Sequence, residues 1–177
     1  MKRLFYLGLI FFSSTIFSEE MVSVKYPSAY FDQVDICFHK VLDPLYGDQT
    51  IALEKIAKGT DRVCEVLVSQ DNKLLGILVY KNYPTQEYVN NALEIKTFFI
   101  VDSKQNSGKG LGTQLLNRVF FVVKENPAFQ NIVVTVSEEK PEVCAFFVKK
   151  GFHVYKTMSD KYKKGIHEYI FCKSVEQ

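Results

Sequence analysis

Gly108, Gly110 and Gly112 stand at alternate positions in the stretch NSGKGLGTQLL, after a largely apolar run from Ile95 to Val101 and at the start of an amphipathic segment from Leu111. Alternate glycines remove the Cβ atoms that would keep a ligand off the backbone. A helix starting at once behind them adds unpaired N–H groups and the positive end of its dipole. Strand, bare loop and helix N-terminus together suit a phosphate or pyrophosphate. Two familiar anion loops do not fit. A phosphate-binding P-loop needs Gly-Lys-Ser/Thr, whereas Lys109 precedes Gly110 and Leu111 follows it. The dinucleotide fingerprint G-x-G-x-x-G is also broken, and no acidic residue follows at a strand end about twenty positions on.

The segment resembles the acyl-CoA-binding motif Q/R-x-x-G-x-G/A of the GNAT superfamily of N-acetyltransferases. Two registers satisfy it, Gln105 to Gly110 and Ser107 to Gly112. The second aligns Ser107-Gly108-Lys109-Gly110-Leu111-Gly112-Thr113 with the common Arg-Gly-Lys-Gly-Ile-Gly-Ser form, with serine in the Gln/Arg place and one extra loop residue. Downstream, Ala145-Phe146-Phe147-Val148-Lys149-Lys150-Gly151-Phe152 resembles the same superfamily's late helix, A-x-x-F/Y-Y-x-x-x-G-F. The likeness covers residues 60 to 172.

The resemblance implies an α/β fold of GNAT type, a mixed central sheet with helices on both faces, and transfer of an acetyl or other acyl group from acyl-CoA to an amine. The amine would belong to a small molecule or a protein. Amides near Ile100 and Val101 would hold the pantetheine arm, and those of Gly108, Lys109, Gly110, Leu111, Gly112 and Thr113 the pyrophosphate, with the Lys109 side chain adding charge. Glu94 opens the fourth strand, where the superfamily often places a carboxylate that takes the amine proton; entering a buried strand, its pKa would rise. An ordinary strand-end glutamate is the equal alternative. The usual acid, a tyrosine of the late helix, is replaced by Phe147, which would pack over the cofactor arm. Water, Cys144, Tyr155 or Tyr162 are left as proton sources. A catalytically silent acyl-CoA-binding or protein-interaction domain is the alternative function.

These residues need a scaffold, and composition allows one. The 177 residues are 47% hydrophobic and 24% charged, enough for a single core-bearing domain over residues 19–177. With 22 basic and 20 acidic residues and no basic block, nothing suggests a nucleic-acid partner. Residues 1–18 read as an export signal, with Lys2 and Arg3, an apolar stretch from Leu4 to Phe12, then Ser13, Ser14 and Thr15, and Ser18 as the cleavage point. That stretch is shorter than the about 20 residues a membrane span needs. Cleavage would leave 20 basic and 20 acidic residues, and no span in the mature chain. A cytoplasmic protein, with this stretch as a first strand or helix, is the alternative. Cys37, Cys64, Cys144 and Cys172 have no metal-ligand spacing and sit among apolar neighbours, as buried thiols do, though export would permit a disulfide. No metal is expected.

The remaining elements follow from periodicity. A short strand is expected within Ser23–Tyr30 and two helices within Asp32–Gly59, broken at Asp43-Pro44. Their apolar stripes are Val34, Cys37, Phe38, Val41 and then Ile51, Leu53, Ile56. Arg62–Val68 and Leu74–Tyr80 form a hairpin. Asn131–Val136 reads as a buried parallel strand, Pro141 opens the late helix, and His153–Met158 with Glu168–Cys172 makes a closing hairpin.

Overall fold

The computed structural model describes residues 19–175; the candidate leader at residues 1–18 lies outside them. The chain runs β1 (Glu20–Ser23), α1 (Ala29–Cys37), a π-helical turn (Phe38–Leu42), α2 (Asp43–Tyr46), α3 (Thr50–Lys58), β2 (Arg62–Val68), β3 (Leu74–Lys81) and β4 (Ala92–Ile100). It continues with α4 (Ser103–Asn106), α5 (Leu111–Glu125), β5 (Asn131–Ser137), α6 (Pro141–Lys149), β6 (His153–Ser159) and β7 (His167–Ser174). The strands form one mixed sheet in the order β1-β2-β3-β4-β5-β7-β6. Among the described residues only β4 and β5 pair in parallel, joined by the α5 crossover.

Each face of the sheet is covered by helices, as the resemblance implied. On one face α5 lays down Leu111, Leu115, Leu116, Val119 and Val123, spaced to form a single helical stripe, beside Phe147 of α6. On the other, Phe31 and Val34 of α1, Phe38, and Leu53 and Ile56 of α3 cover β2 and β3. All four cysteines are free thiols, Cys64 and Cys172 buried and Cys37 and Cys144 half-buried. No described helix is long and apolar enough to cross a membrane.

The first third departs from expectation in three places. The first strand ends at Ser23, and α1 starts before Tyr30, because the Ser28 hydroxyl caps it by accepting from the Phe31 N–H. Asp43-Pro44 does not break the helix. Pro44 stands directly behind the π-helical turn without interrupting the helical run, and the chain turns instead at Gly47, φ +80°. Ile51 is 70% exposed rather than part of the inner stripe.

An ion pair with a buried carboxylate and a half-buried guanidinium ties α5 to the sheet. Arg118 donates through Nε and Nη2 to Glu65 on β2 at 2.8 and 2.6 Å, and Glu65 is almost fully enclosed. Removing only the cation strands a buried carboxylate. Arg118→Ala should therefore destabilise the protein by about 3 kcal/mol or more, read as a lower urea midpoint, whereas the joint change of Glu65 and Arg118 to Leu and Met should recover most of it.

Candidate functional site

β4 is paired on both sides only for its first half. Ala92 to Ile95 face Asn131 to Val134 of β5, but the pairing stops there, while β4 continues along β3 as far as Ile100. The register to β3 slips between Val79 and Tyr80, opposite Lys96, where β4 leaves β5. β5 carries on beside β7 to Ser137. The sheet is thus split open between β4 and β5.

Ladder alternation decides which backbone groups face that split. The Val101 N–H donates to the Leu75 carbonyl at 2.9 Å, so Val101 and Leu75 form a hydrogen-bonded pair. In an antiparallel ladder such pairs alternate, so Phe99 and Thr97 also turn their N–H and C=O groups toward β3. Phe98 and Ile100 turn theirs the other way, to the open edge. Ile100, one of the two named from the sequence, thus turns its amide to the open edge. Val101, the other, does not: its amide is already taken, and Phe98 has the orientation expected of Val101.

The open edge runs into the glycine loop. Asp102 takes a left-handed turn (φ +47°), α4 adds one helical turn, and Gly108 and Gly110 then adopt φ of +75° and +80°. Only glycine adopts these angles at little cost. A Cβ built at either would meet nothing within 4 Å, so the bare side of the loop faces open space. Gly110 is the N-cap of α5, with no side chain capping the helix. The N–H groups of Leu111, Gly112 and Thr113 have no hydrogen-bond partner among the described residues. The Leu111 side chain is buried, so that residue offers only its amide. Asn106 braces the loop, donating to the Val101 carbonyl at 2.7 Å and accepting from Lys109 Nζ at 3.0 Å.

Phe147 does not line this surface. It is fully enclosed, ring to ring with Phe98, Phe146, Phe152 and Phe171 at 5.1–6.2 Å. The alternating apolar residues of β4 and β7 need a partner on the α6 face, and Phe147 provides it. Phe146 is the aromatic next to the loop, its ring 3.5 Å from where a Gly112 Cβ would lie.

Carboxylates gather on the sheet face away from α5. Glu94 is buried and ion-paired to Lys81 at 2.5 Å and Lys96 at 2.8 Å. Burial disfavours its charge, but the two ammonium groups outweigh that and hold the pKa below the usual 4.5. The expected rise does not occur, because Lys81 reaches Glu94 across the sheet from β3 and adds to Lys96, two positions further along β4. Glu168 behaves oppositely. It is equally buried, pairs in register with Ser137 at the mouth of the split, and burial pushes its pKa up despite the Ser137 hydroxyl. Cys144 Sγ contacts the Ser137 carbonyl at 3.8 Å, and burial raises its pKa, so it remains a thiol.

Tyr46 of α2 and Tyr162 of the β6–β7 loop close over this face, ring centroids 6.0 Å apart. Burial and nearby carboxylates push the Tyr162 phenol up to about 12. The expected loop amides and Ile100 thus come together along one edge, Glu94 and Glu168 lie on the carboxylate-bearing face, and Tyr155 is exposed on β6. Glu168, Phe98 and Asn106 were not expected. The one signal for Glu168 was a lone carboxylate in the apolar strand HEYIFC; nothing in the sequence marked the other two.

No protein-family model matches the chain, and no curated protein matches it in sequence. Solved structures do match in fold. NAA60 from Arabidopsis thaliana, in complex with a bisubstrate analogue, superposes with a TM-score of 0.75 at 13% identity, covering 90% of this chain and 99% of that one. Spermidine N-acetyltransferase from Vibrio cholerae, in complex with CoA and spermine, gives 0.69 at 12% identity, covering 88% and 95%. A Desulfovibrio desulfuricans protein, described as an acetyltransferase of the GNAT family, gives 0.67 at 16% identity over 90% and 100%. The chain has the GNAT fold.

Proposed function

We propose that this GNAT-fold chain is an acyl-CoA-dependent N-acyltransferase that passes an acetyl or other acyl group directly to an amine. The observation that carries the reading is the continuity of two ligand-shaped backbone surfaces, the open β4 edge at Phe98 and Ile100 and the uncapped N-terminus of α5 behind Gly108 and Gly110. An extended amide-bearing arm can add to the first as a strand would. A pyrophosphate suits the second. Acetyl-CoA has both parts, joined in that order, and its thioester would lie near the β4–β5 split. The similar structures add support, since they include enzymes named for amine acceptors, spermidine and aminoglycosides.

The chemistry needs a neutral amine, which attacks the thioester carbon. A C–N bond forms, the C–S bond breaks, and the thiolate leaves with the electron pair and must gain a proton. Positioning both reactants supplies much of the rate. Between the two buried carboxylates, Glu168 suits proton traffic: its raised pKa lets it take the ammonium proton and pass it to solvent, while the second proton, shed by the nitrogen as the amide forms, goes to the leaving thiolate. Glu94, held ionised by two lysines, is a poorer base and better suited to fixing the β4 irregularity.

Free-thiol release from acetyl-CoA, measured with and without n-butylamine, tests this. Amine-dependent release with butylacetamide formed in equal amount is the expected result. CoA binding without release would favour the second reading, a silent acyl-CoA-binding domain, for which the replacement of the late-helix tyrosine by a fully buried Phe147 already speaks.

A further inference from the structure

Ser137 ends β5, three residues past Val134, the last residue of that strand to pair with β4. It therefore stands on the part of β5 that has left β4, at the split. Two observations fix where its side chain points. Val136 belongs to the core beneath α5, so its neighbour Ser137 faces the opposite side of the sheet, the side of the carboxylates. The Glu138 N–H donates to the His167 carbonyl at 2.9 Å, so the adjoining pair, Ser137 and Glu168, is a non-hydrogen-bonded one, in which side chains approach most closely. Both side chains are buried.

A hydroxyl has one donor and two acceptor positions. The Ser137 donor goes to the Glu168 carboxylate, and one acceptor position takes the Glu139 N–H at 3.4 Å. When Glu168 gains a proton the first of these bonds must reverse, because the carboxyl group is then the donor. Ser137 is left accepting from Glu168 and Glu139, with its own O–H released from the pair. A free donor in a buried site is costly until it finds an acceptor, and the acceptor that appears in the split during transfer is the leaving thiolate. Cys144 is not so placed, since its S–H is directed to the Ser137 carbonyl at 3.8 Å.

We infer that Ser137 is a catalytic residue of the acyl transfer, the group that protonates the leaving thiolate, and that Glu168 reloads it. The assignment deepens the acyltransferase reading and rests on it. Once the ammonium proton has gone to solvent, Glu168 is again a carboxylate. As the C–S bond breaks, the nitrogen gives its second proton to Glu168, Glu168 gives a proton to Ser137 Oγ, and Ser137 gives its own to sulfur. One proton has then passed from nitrogen to sulfur, the serine and the carboxylate are restored, and the products are the amide and the CoA thiol.

Substitutions in the full chain test this. Transfer from acetyl-CoA to n-butylamine should lose about 10²-fold or more in kcat in Ser137→Ala, the scale of a missing general acid, with KM for acetyl-CoA held. Ser137→Thr, which keeps a hydroxyl, should recover most of that loss. Cys144→Ala, which removes the neighbouring thiol, should cost less than Ser137→Ala. A second readout needs no acyl donor. In a carboxyl-carbon NMR titration the Glu168 signal, identified by its absence in Glu168→Gln, should titrate at higher pH in Ser137→Ala, because the hydroxyl bond favours the carboxylate, and Ser137→Thr should restore it. Lys161, Glu138, Glu139, Tyr46 and Tyr162, the other groups whose charges Glu168 feels or perturbs, are the same in every variant. An unchanged kcat in Ser137→Ala overturns the assignment, as does an equal loss in Ser137→Thr, a greater loss in Cys144→Ala, or a Glu168 titration that does not move. If the unmodified protein forms no butylacetamide while the Glu168 titration shifts as expected, the acyltransferase reading falls and the catalytic role with it, and the hydrogen-bonded pair alone stands.

Discussion

Glu168→Gln is expected to lower amine acylation by about 10²-fold or more and, unusually for an active-site change, to stabilise the protein at neutral pH. Both effects have one cause. The folded-state pKa of Glu168 lies above the ordinary 4.5, chiefly through burial. The folded chain therefore holds the proton more tightly than the unfolded chain. The associated stability is fully present below the unfolded value and is lost as pH rises through the folded one. Glutamine keeps the shape and the Ser137 contact but never ionises, so this loss disappears. The kcat/KM profile of the unmodified enzyme should rise with pH through the same raised value, as the base form appears, and Glu168→Gln should lack that limb. Glu94→Gln should show the opposite pattern. The Glu94 pKa is depressed, so its contribution is present above 4.5 and lost as pH falls through the folded value. Replacing it leaves Lys81 and Lys96 without their shared partner, so the melting temperature should fall at neutral pH. Turnover losses matched between the two variants, with no difference in stability, would remove the distinction drawn between these carboxylates.

What the sequence could and could not convey divides along physical lines. The β2–β3 hairpin, the β4–loop–α5 unit, the buried β5 and the β6–β7 pair were all legible, because each is a local pattern of period or turn chemistry. Gly108 and Gly110 were legible for the same reason, a backbone angle being a property of one residue. Contacts across the sheet were not. The ion pairs of Glu94 depend on a lysine thirteen residues earlier that reaches it across the sheet from β3, and the burial of Glu168 depends on β7 inserting between β5 and β6. Ladder phase is invisible too: whether Val101 or Phe98 offers its amide depends on which residue Leu75 faces. Phe147 shows the converse limit, since a motif position reserved for chemistry elsewhere is here filled by a residue whose ring only packs.

Gly110→Ala should weaken CoA binding by about tenfold or more, and the structure separates this from Gly112→Ala, although both glycines belong to the same motif. At Gly110 the backbone is left-handed, which costs a residue with a Cβ about 1–2 kcal/mol, and the new methyl would project into the open space where phosphates would lie. Some stability should be lost together with affinity. Gly112 has no positive φ, lies inside α5, and its Cβ would meet the Phe146 ring at an ordinary 3.5 Å. Alanine there points toward protein rather than ligand and favours the helix by about 1 kcal/mol, so affinity should hold within a few-fold and stability should not fall. Lys109→Ala belongs between them. Its ammonium is exposed and already held by Asn106, so its loss should matter at low salt and fade as salt screens the charge. Calorimetry with CoA and with dephospho-CoA reads all three, and the two ligands should respond alike to Gly110→Ala because they share the pyrophosphate. If the unmodified protein bound neither at millimolar concentration, the left-handed glycines would be only the turn that lets α5 start where β4 ends, since that geometry is needed with or without a ligand.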